Sequence, residues 1–290
     1  MRMREWILKT GDDKELYARE WQPKSHSAEK ATAVVCFVHG MGEHSGRYDD
    51  LAEALSEVGI ASLAYDQRGH GRSPGRRGHA DSMEQLSGDV EMLIGEAEAR
   101  FPGVPLFLYG HSMGGAVALH TALTRNLPLR GLILSSPWLR LESPPSRVAE
   151  AAIGVLSKLW PSLSQPTRIK EAELYRPGKH VVADSPMDDD CHTRITAAMY
   201  QAVSEAGRWS LEHGDELKLP TLLLHGTSDR ITSFEASKEL ASRIGSHCNF
   251  QPFDGGFHEL HHDLEREQLI LNLNKWIYTN LDCQKSPPVL

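Results

Sequence analysis

The chain has 290 residues, 40% hydrophobic and 24% charged, with a net charge of −8. That composition and length fit one large globular domain with a deep core, or one such domain carrying an insertion. The acidic balance argues against general attraction to nucleic acid or anionic lipid, and no apolar run approaches the roughly 20 residues needed to span a bilayer.

The N-terminal MRMREWILKT lacks the apolar region of a signal peptide. Cys36, Cys191, Cys248 and Cys283 are scattered, with no metal-ligand spacing. A cytoplasmic setting is expected, with peripheral contact at membranes as the alternative. EWILKT and ELYAREW flank GDDK and read as an antiparallel hairpin. ATAVVCFVHG is a short β-branched apolar run, the mark of a strand buried on both faces. DDLAEALSEVG sets Leu51, Leu55 and Val58 on one helical face and stops at Gly59.

The alternation then repeats. IASLAY reads as a strand, and the segment after it sets Leu86, Val90, Leu93, Ile94 and Ala97 at helical spacing. PLFLYG is a strand, GGAVALHTALTRN a helix and RGLILSS a strand. PTLLLHG, SFEASKELASRIG, CNFQPF and LILNLNKWIYTN resume the pattern further on. Strands alternating with helices predict a mostly parallel central sheet with flanking helices, an α/β fold. The interruption, residues 137–215, is proline-rich and lacks a buried-strand pattern. It reads as a helical cap inserted in a core of residues 1–136 and 216–290, above the sheet edge where open α/β folds bind ligands. Within it, residues 147–160 gather Val148, Ala152, Val155, Leu156 and Leu159 on one apolar face, fit to pack within the cap, to line a tunnel or to touch lipid. The acidic MDDDCH reads as a solvated turn.

LFLYGHSMGG holds G-x-S-x-G between a buried strand and a helix, the setting in which that motif presents a nucleophile. Ser112 is the candidate. A serine hydroxyl needs a base, and an imidazole needs a carboxylate to hold its tautomer. The strand-end residues downstream supply Asp229 in TLLLHGTSD and His258 in NFQPFDGGFH. Asp254 also lies between serine and histidine in order, but it shares the histidine's own strand end, which favours Asp229. The developing oxyanion requires backbone N–H donors, for which Met113 and Met41 are the candidates. A competing pattern is His258-Glu259-Leu260-His261-His262, which matches the zinc-binding H-E-x-x-H. That pattern needs a helix and a third ligand, whereas Gly255-Gly256 puts His258 in a turn. A serine reading explains four separate segments and the zinc reading five residues.

VHGMGEHSGRYDDLAEAL, YDQRGHGRSPG, LFLYGHSMGGAVAL and LLLHGTSDRITS, in this order, resemble the monoacylglycerol lipase and lysophospholipase branch of the α/β-hydrolases, the serine aminopeptidase-like group. In the cap the likeness thins to ADSP and RITAAMYQAV. The resemblance implies an α/β-hydrolase fold, a cap over an acyl tunnel, no cofactor, no metal and an acylglycerol or other lipid ester as substrate. It also implies that Glu43, Arg47 and His261 lie near the polar head-group, against which stands a plain Glu43–Arg47 ion pair fixing the oxyanion loop. The basic loop DQRGHGRSPGRRGH reads as structural rather than as a phosphate site. The expected activity is a serine carboxylester hydrolase of monoacylglycerol lipase type. A lysophospholipase or general carboxylesterase is the alternative, and a non-catalytic binding protein or a zinc peptidase is more remote. No anchor for a free α-amino group is visible, and nothing in the chain fixes the oligomeric state.

Overall fold

In the computed structural model, which describes residues 2–23, 31–176 and 188–282, β1 (Arg2–Lys9) and β2 (Glu15–Gln22) form the expected hairpin, with Lys9 opposite Glu15. The ADSP string, Met187 and Cys283 lie outside the described residues. β2 runs antiparallel to β4 (Ile60–Tyr65). Beyond it β3 (Ala33–Val38), β5 (Leu106–His111), β6 (Leu129–Ser135), β9 (Thr221–Gly226) and β10 (Cys248–Phe253) are all parallel. The eight strands are ordered β1-β2-β4-β3-β5-β6-β9-β10.

The apolar runs are buried on both faces because helices cover both. Along β3, Val34, Cys36 and Val38 face one core and Ala33, Val35 and Phe37 the other, the two-residue period of a pleated strand. On the first side lie α2 (Met83–Arg100), α3 (Met113–Thr124) and α6 (Phe234–Ile244). On the second lie α1 (Asp49–Glu57) and α7 (Arg266–Asp282). The α2 stripe read from spacing, Leu86 to Ala97, is buried, and its first turn is capped by the Ser82 hydroxyl accepting from the Gln85 amide. This is the α/β-hydrolase architecture.

Residues 137–215 hold two different structures. α4 (Arg147–Leu159) and the two-stranded antiparallel pair β7 (Ser164–Pro166) and β8 (Arg194–Thr196) lie in its first part. α5 (Ala197–Glu212) instead packs on α3 and α2 as part of the helical layer. Its Gly207 also lies tight against the segment after β6, where a Cβ would stand 2.3 Å from the Trp138 carbonyl oxygen. The described part of this stretch thus holds a small sheet besides its helices, and three-residue strands are too short to show a period in the sequence. The apolar face expected on α4 points outward, and other residues of the helix line the cavity. No α4 residue is buried. Ala149 and Ile153 face a cavity, while Val148, Val155, Leu159 and Trp160 project as exposed apolar side chains.

The basic loop is structural, as expected. Arg68 pairs with Asp89 and Asp12, and Arg72 with Glu5. MDDDCH does more than turn. The Asp188 carboxylate accepts from His44 Nε2 at 2.9 and 3.0 Å, and the His192 amide donates to the Gly42 carbonyl at 2.9 Å. The segment is therefore latched to the loop after β3. Among the described residues no helix is long and apolar enough to cross a membrane.

Candidate active site

β5 ends in a turn that only small residues permit. A Cβ on Gly110 would meet the Gly114 carbonyl oxygen at 2.4 Å, and one on Gly114 would meet the Val38 carbonyl oxygen at 2.1 Å. Ser112, between them, is held at φ 53° and ψ −119°, a conformation that costs about 1–3 kcal/mol and persists only when its surroundings impose it. The imposition is visible. Its amide donates to the Ser135 carbonyl at 3.0 Å, and its carbonyl accepts from Trp138, Gly115 and Ala116.

Three residues distant in sequence converge there. His258 Nε2 lies 2.9 Å from Ser112 Oγ, and His258 Nδ1 lies 2.7 Å from Asp229 Oδ2. Asp229 follows β9, and its Oδ1 accepts from the amides of Ile231 and Thr232 at 2.7 and 3.1 Å. Asp254 is elsewhere: its exposed carboxylate accepts from the Thr227 hydroxyl at 3.3 Å. Burial alone would raise the Asp229 carboxyl. The neighbouring imidazoles of His258 and His225 outweigh it and hold Asp229 well below the usual carboxylate range. Burial likewise disfavours charge on His258, but the Asp229 carboxylate prevails and raises the imidazole above its ordinary value.

A cavity of about 800 Å³ opens onto Ser112 and His258 and is lined also by Met41 and Glu43. Met41 belongs to the loop after β3. That loop lies against the serine, since a Cβ on Gly40 would stand 3.2 Å from Ser112 Cβ. Met113 is the first residue of α3, so its amide has no acceptor within the helix. The following segment is fixed by aromatic packing. Tyr48 sits on Phe37 and Tyr109 with ring centroids 5.0 and 6.1 Å apart, contacts worth about 0.5–1.5 kcal/mol each beyond area burial.

The three residues assigned by resemblance to a head-group site separate. Glu43 is on the cavity wall, where its Oε2 accepts from the Gly40 amide and the Tyr48 hydroxyl, both at 3.3 Å. Arg47 and His261 are not among the cavity-lining residues; they are buried behind it. The expected alternative of a Glu43–Arg47 pair is also corrected. Arg47 Nη2 donates to Glu259, which does line the cavity. Sequence reasoning missed this partner because 212 residues separate the pair. His261 stacks on Tyr48 at 5.1 Å, and neither ring nitrogen has a hydrogen-bond partner among the described residues. Burial drives its pKa well below the ordinary imidazole value.

Both members of the Arg47–Glu259 pair are almost solvent-free. Burial already pushes the Glu259 carboxyl up to about 7, so Arg47→Met leaves it to take a proton and lose its partner, and the expected loss is about 3 kcal/mol of unfolding free energy. Denaturant titration of Arg47→Met, Glu259→Leu and the double variant checks it. The double variant should recover much of that loss.

The zinc arrangement does not form. Residues 258–265 are turns, not a helix. Both ring nitrogens of His258 are engaged by Ser112 and Asp229, and His262 Nε2 lies 3.1 Å from the Arg47 carbonyl. The groups able to converge three ligands among the described residues are His44–Asp188–Cys191 and Glu43–His111–Glu259, and neither contains a histidine of the motif. His44 Nδ1 accepts from the Gly46 amide at 3.1 Å. With Nδ1 accepting, the ring hydrogen sits on Nε2, pointed at Asp188, and that nitrogen has no lone pair for a metal.

The family described as serine aminopeptidase, S33, matches residues 29–265. The rat (Rattus norvegicus) monoglyceride lipase is 30% identical, over 93% of this chain and 89% of its own. An abhydrolase domain-containing protein of Dictyostelium discoideum is 32% identical over 96% of this chain, which spans only 29% of that longer relative. The crystal structure of a monoacylglycerol lipase from Paleococcus ferrophilus matches with a TM-score of 0.80 at 31% identity, over 92% of this chain and 99% of the other.

Proposed function

We propose, from the premise that this chain belongs to the serine aminopeptidase S33 family of hydrolases, that it is a monoacylglycerol lipase releasing a fatty acid and glycerol through an acyl-enzyme on Ser112. It is a hydrolase of the lipase and esterase type. The observation that carries the finer reading is the unbroken hydrogen-bond chain Ser112–His258–Asp229, whose Ser112 and His258 open onto a cavity of about 800 Å³.

Ser112 Oγ attacks the ester carbonyl while His258 Nε2 takes its proton. Asp229 holds the imidazole in the tautomer that leaves Nε2 free to accept, and steadies the imidazolium. The amides of Met41 and Met113 hold the oxyanion, and the α3 N-terminus adds its positive dipole end. His258 then returns the proton to the leaving alcohol, and water deacylates the serine by the same route. The acyl chain lies along Leu141, Ile153, Ile169 and Ile195. The glycerol hydroxyls face the carboxylates of Glu43 and Glu259, with Arg47 and His261 acting on them only through Glu259 and Tyr48.

Residues 137–196 serve as the cap, with α5 counted in the core. The exposed Val148, Val155, Leu159 and Trp160 beside the cavity suit transient contact with a lipid surface from which substrate is drawn.

The general base must be neutral, so activity falls on the acid side as pH drops through the pKa of His258. That pKa is raised, so the midpoint of the acid limb of kcat/KM is expected above about 6.5. A pH–rate profile on a neutral ester measures it. Relative turnover of monoacylglycerols of graded chain length, lysophosphatidylcholines, simple esters and amino-acid anilides tests the substrate. Long-chain monoacylglycerol is expected to give the highest kcat/KM. A lysophosphatidylcholine in first place would reassign the enzyme as a lysophospholipase, and a folded protein inert to every ester would end the hydrolase reading.

A further inference from the structure

The strand that delivers Asp229 also delivers an imidazole with no part in the proton relay above. His225 lies in β9, with zero exposure, directly after the buried run Leu222-Leu223-Leu224. Its Nε2 lies 3.1 Å from Asp229 Oδ2 and 3.3 Å from the Thr232 carbonyl oxygen. Its Nδ1 lies 2.7 Å from the Ser237 hydroxyl on α6. A carboxylate and a carbonyl only accept, so the ring hydrogen sits on Nε2 and Nδ1 accepts from Ser237 O–H. The opposite tautomer would aim a lone pair at a buried carboxylate.

Asp229 Oδ2 therefore has two N–H neighbours, His258 Nδ1 and His225 Nε2. Its third neighbour, the Thr232 hydroxyl, has a single hydrogen and two acceptors within reach, Asp229 Oδ2 at 2.9 Å and the Ser136 carbonyl at 3.0 Å. His225 is the donor that holds this oxygen when Thr232 turns to Ser136.

We propose that His225 is a positioning residue: a second imidazole, with its tautomer set by Ser237, that fixes the Asp229 carboxylate against His258 and shares its negative charge. This rests on the reading of Ser112, His258 and Asp229 as the catalytic set. Two effects follow. Without His225 the carboxylate loses a fixed donor and with it one restraint on its rotation. The charge felt by His258 also becomes undivided, so the imidazolium is better stabilised and titrates at higher pH. The other ionisable groups facing His258 are Glu43 after β3, His111 at the end of β5, and Glu259 and His261 on its own turn. None of them is a hydrogen-bond or ring partner of His225, whose other close ring neighbour is Phe234 at 5.8 Å. They stay constant when residue 225 is changed.

The test is the pH profile of kcat/KM on a short-chain chromogenic ester for wild type, His225→Leu, His225→Gln and Ser237→Ala, with fluorophosphonate labelling and thermal unfolding alongside. His225→Leu is expected to lose about 10- to 100-fold in kcat, the worth of one hydrogen bond to a charged group, and to move the acid limb up by about half to one pH unit. A glutamine amide nitrogen occupies nearly the place of imidazole Nε2, so His225→Gln should recover rate to within about threefold and return the limb to its wild-type position. Ser237→Ala should shift the limb the same way by less. A folded His225→Leu protein with unchanged rate and limb would overturn the proposal. So would equal losses in the Leu and Gln variants with no movement of the limb, which is the mark of a merely structural residue. If His225→Leu does not fold, Ser237→Ala decides, and an unmoved limb there counts against the proposal. A wild-type protein inert to both ester and probe would instead sink the parent reading.

Discussion

Ser112→Ala is expected to lower kcat by about 10⁵-fold or more while leaving the fold intact, because the side chain supplies the attacking atom and nothing replaces it. Alanine keeps the Cβ and fits the same φ of 53°, so neighbours need not move. The loss belongs to chemistry, and binding should persist: a monoacylglycerol should still protect the variant against thermal unfolding. Whatever rate remains comes from the oxyanion donors and from holding ester and water together. Initial rates with enzyme in excess of any contaminating esterase, and a melting curve with and without substrate, separate the two.

Asp229→Asn is expected to cost about 10⁴-fold in kcat, and the surroundings explain why a nearly isosteric change is so severe. Oδ1 faces the amides of Ile231 and Thr232, and Oδ2 faces His258 and His225. Every one of these neighbours is a donor. A carboxamide has one NH2 end, and either orientation turns it against donors. With the NH2 toward His258, the ring is driven to the tautomer in which Nε2 carries the hydrogen and can no longer accept from Ser112. With it toward Ile231 and Thr232, two buried amides lose their acceptor. A stability loss of about 1–3 kcal/mol should accompany the kinetic one. Raising the pH should not restore the rate, because the defect is in hydrogen placement rather than in charge.

What could be read from the chain follows from the range of the interactions involved. The strands were legible because burial on two faces leaves a local mark, as in VVCFV and TLLLHG. So was the convergence of Ser112, Asp229 and His258, since strand ends of a parallel sheet meet at one edge. Contacts between distant segments left no local period. Arg47 with Glu259 and His44 with Asp188 join residues 212 and 144 apart, so neither pairing had a spacing to reveal it. α4 could be recognised as amphipathic, but which edge of it met the cavity depended on α5, whose place in the layer against α3 was hidden by the proline-rich stretch before it. His225 did leave a signal. A lone imidazole directly after an apolar buried run needs a polar partner, and Asp229 lies four residues on.

The central claim is that the hydroxyl at position 112 is the nucleophile. Fluorophosphonate labelling of the folded protein, read by intact mass and peptide mapping, tests it directly. The account predicts one adduct, on the peptide carrying Ser112, forming at the same rate with and without chelator and absent in Ser112→Ala. An esterase that stays active while Ser112 remains unlabelled, or that loses its activity to a chelator, would contradict it.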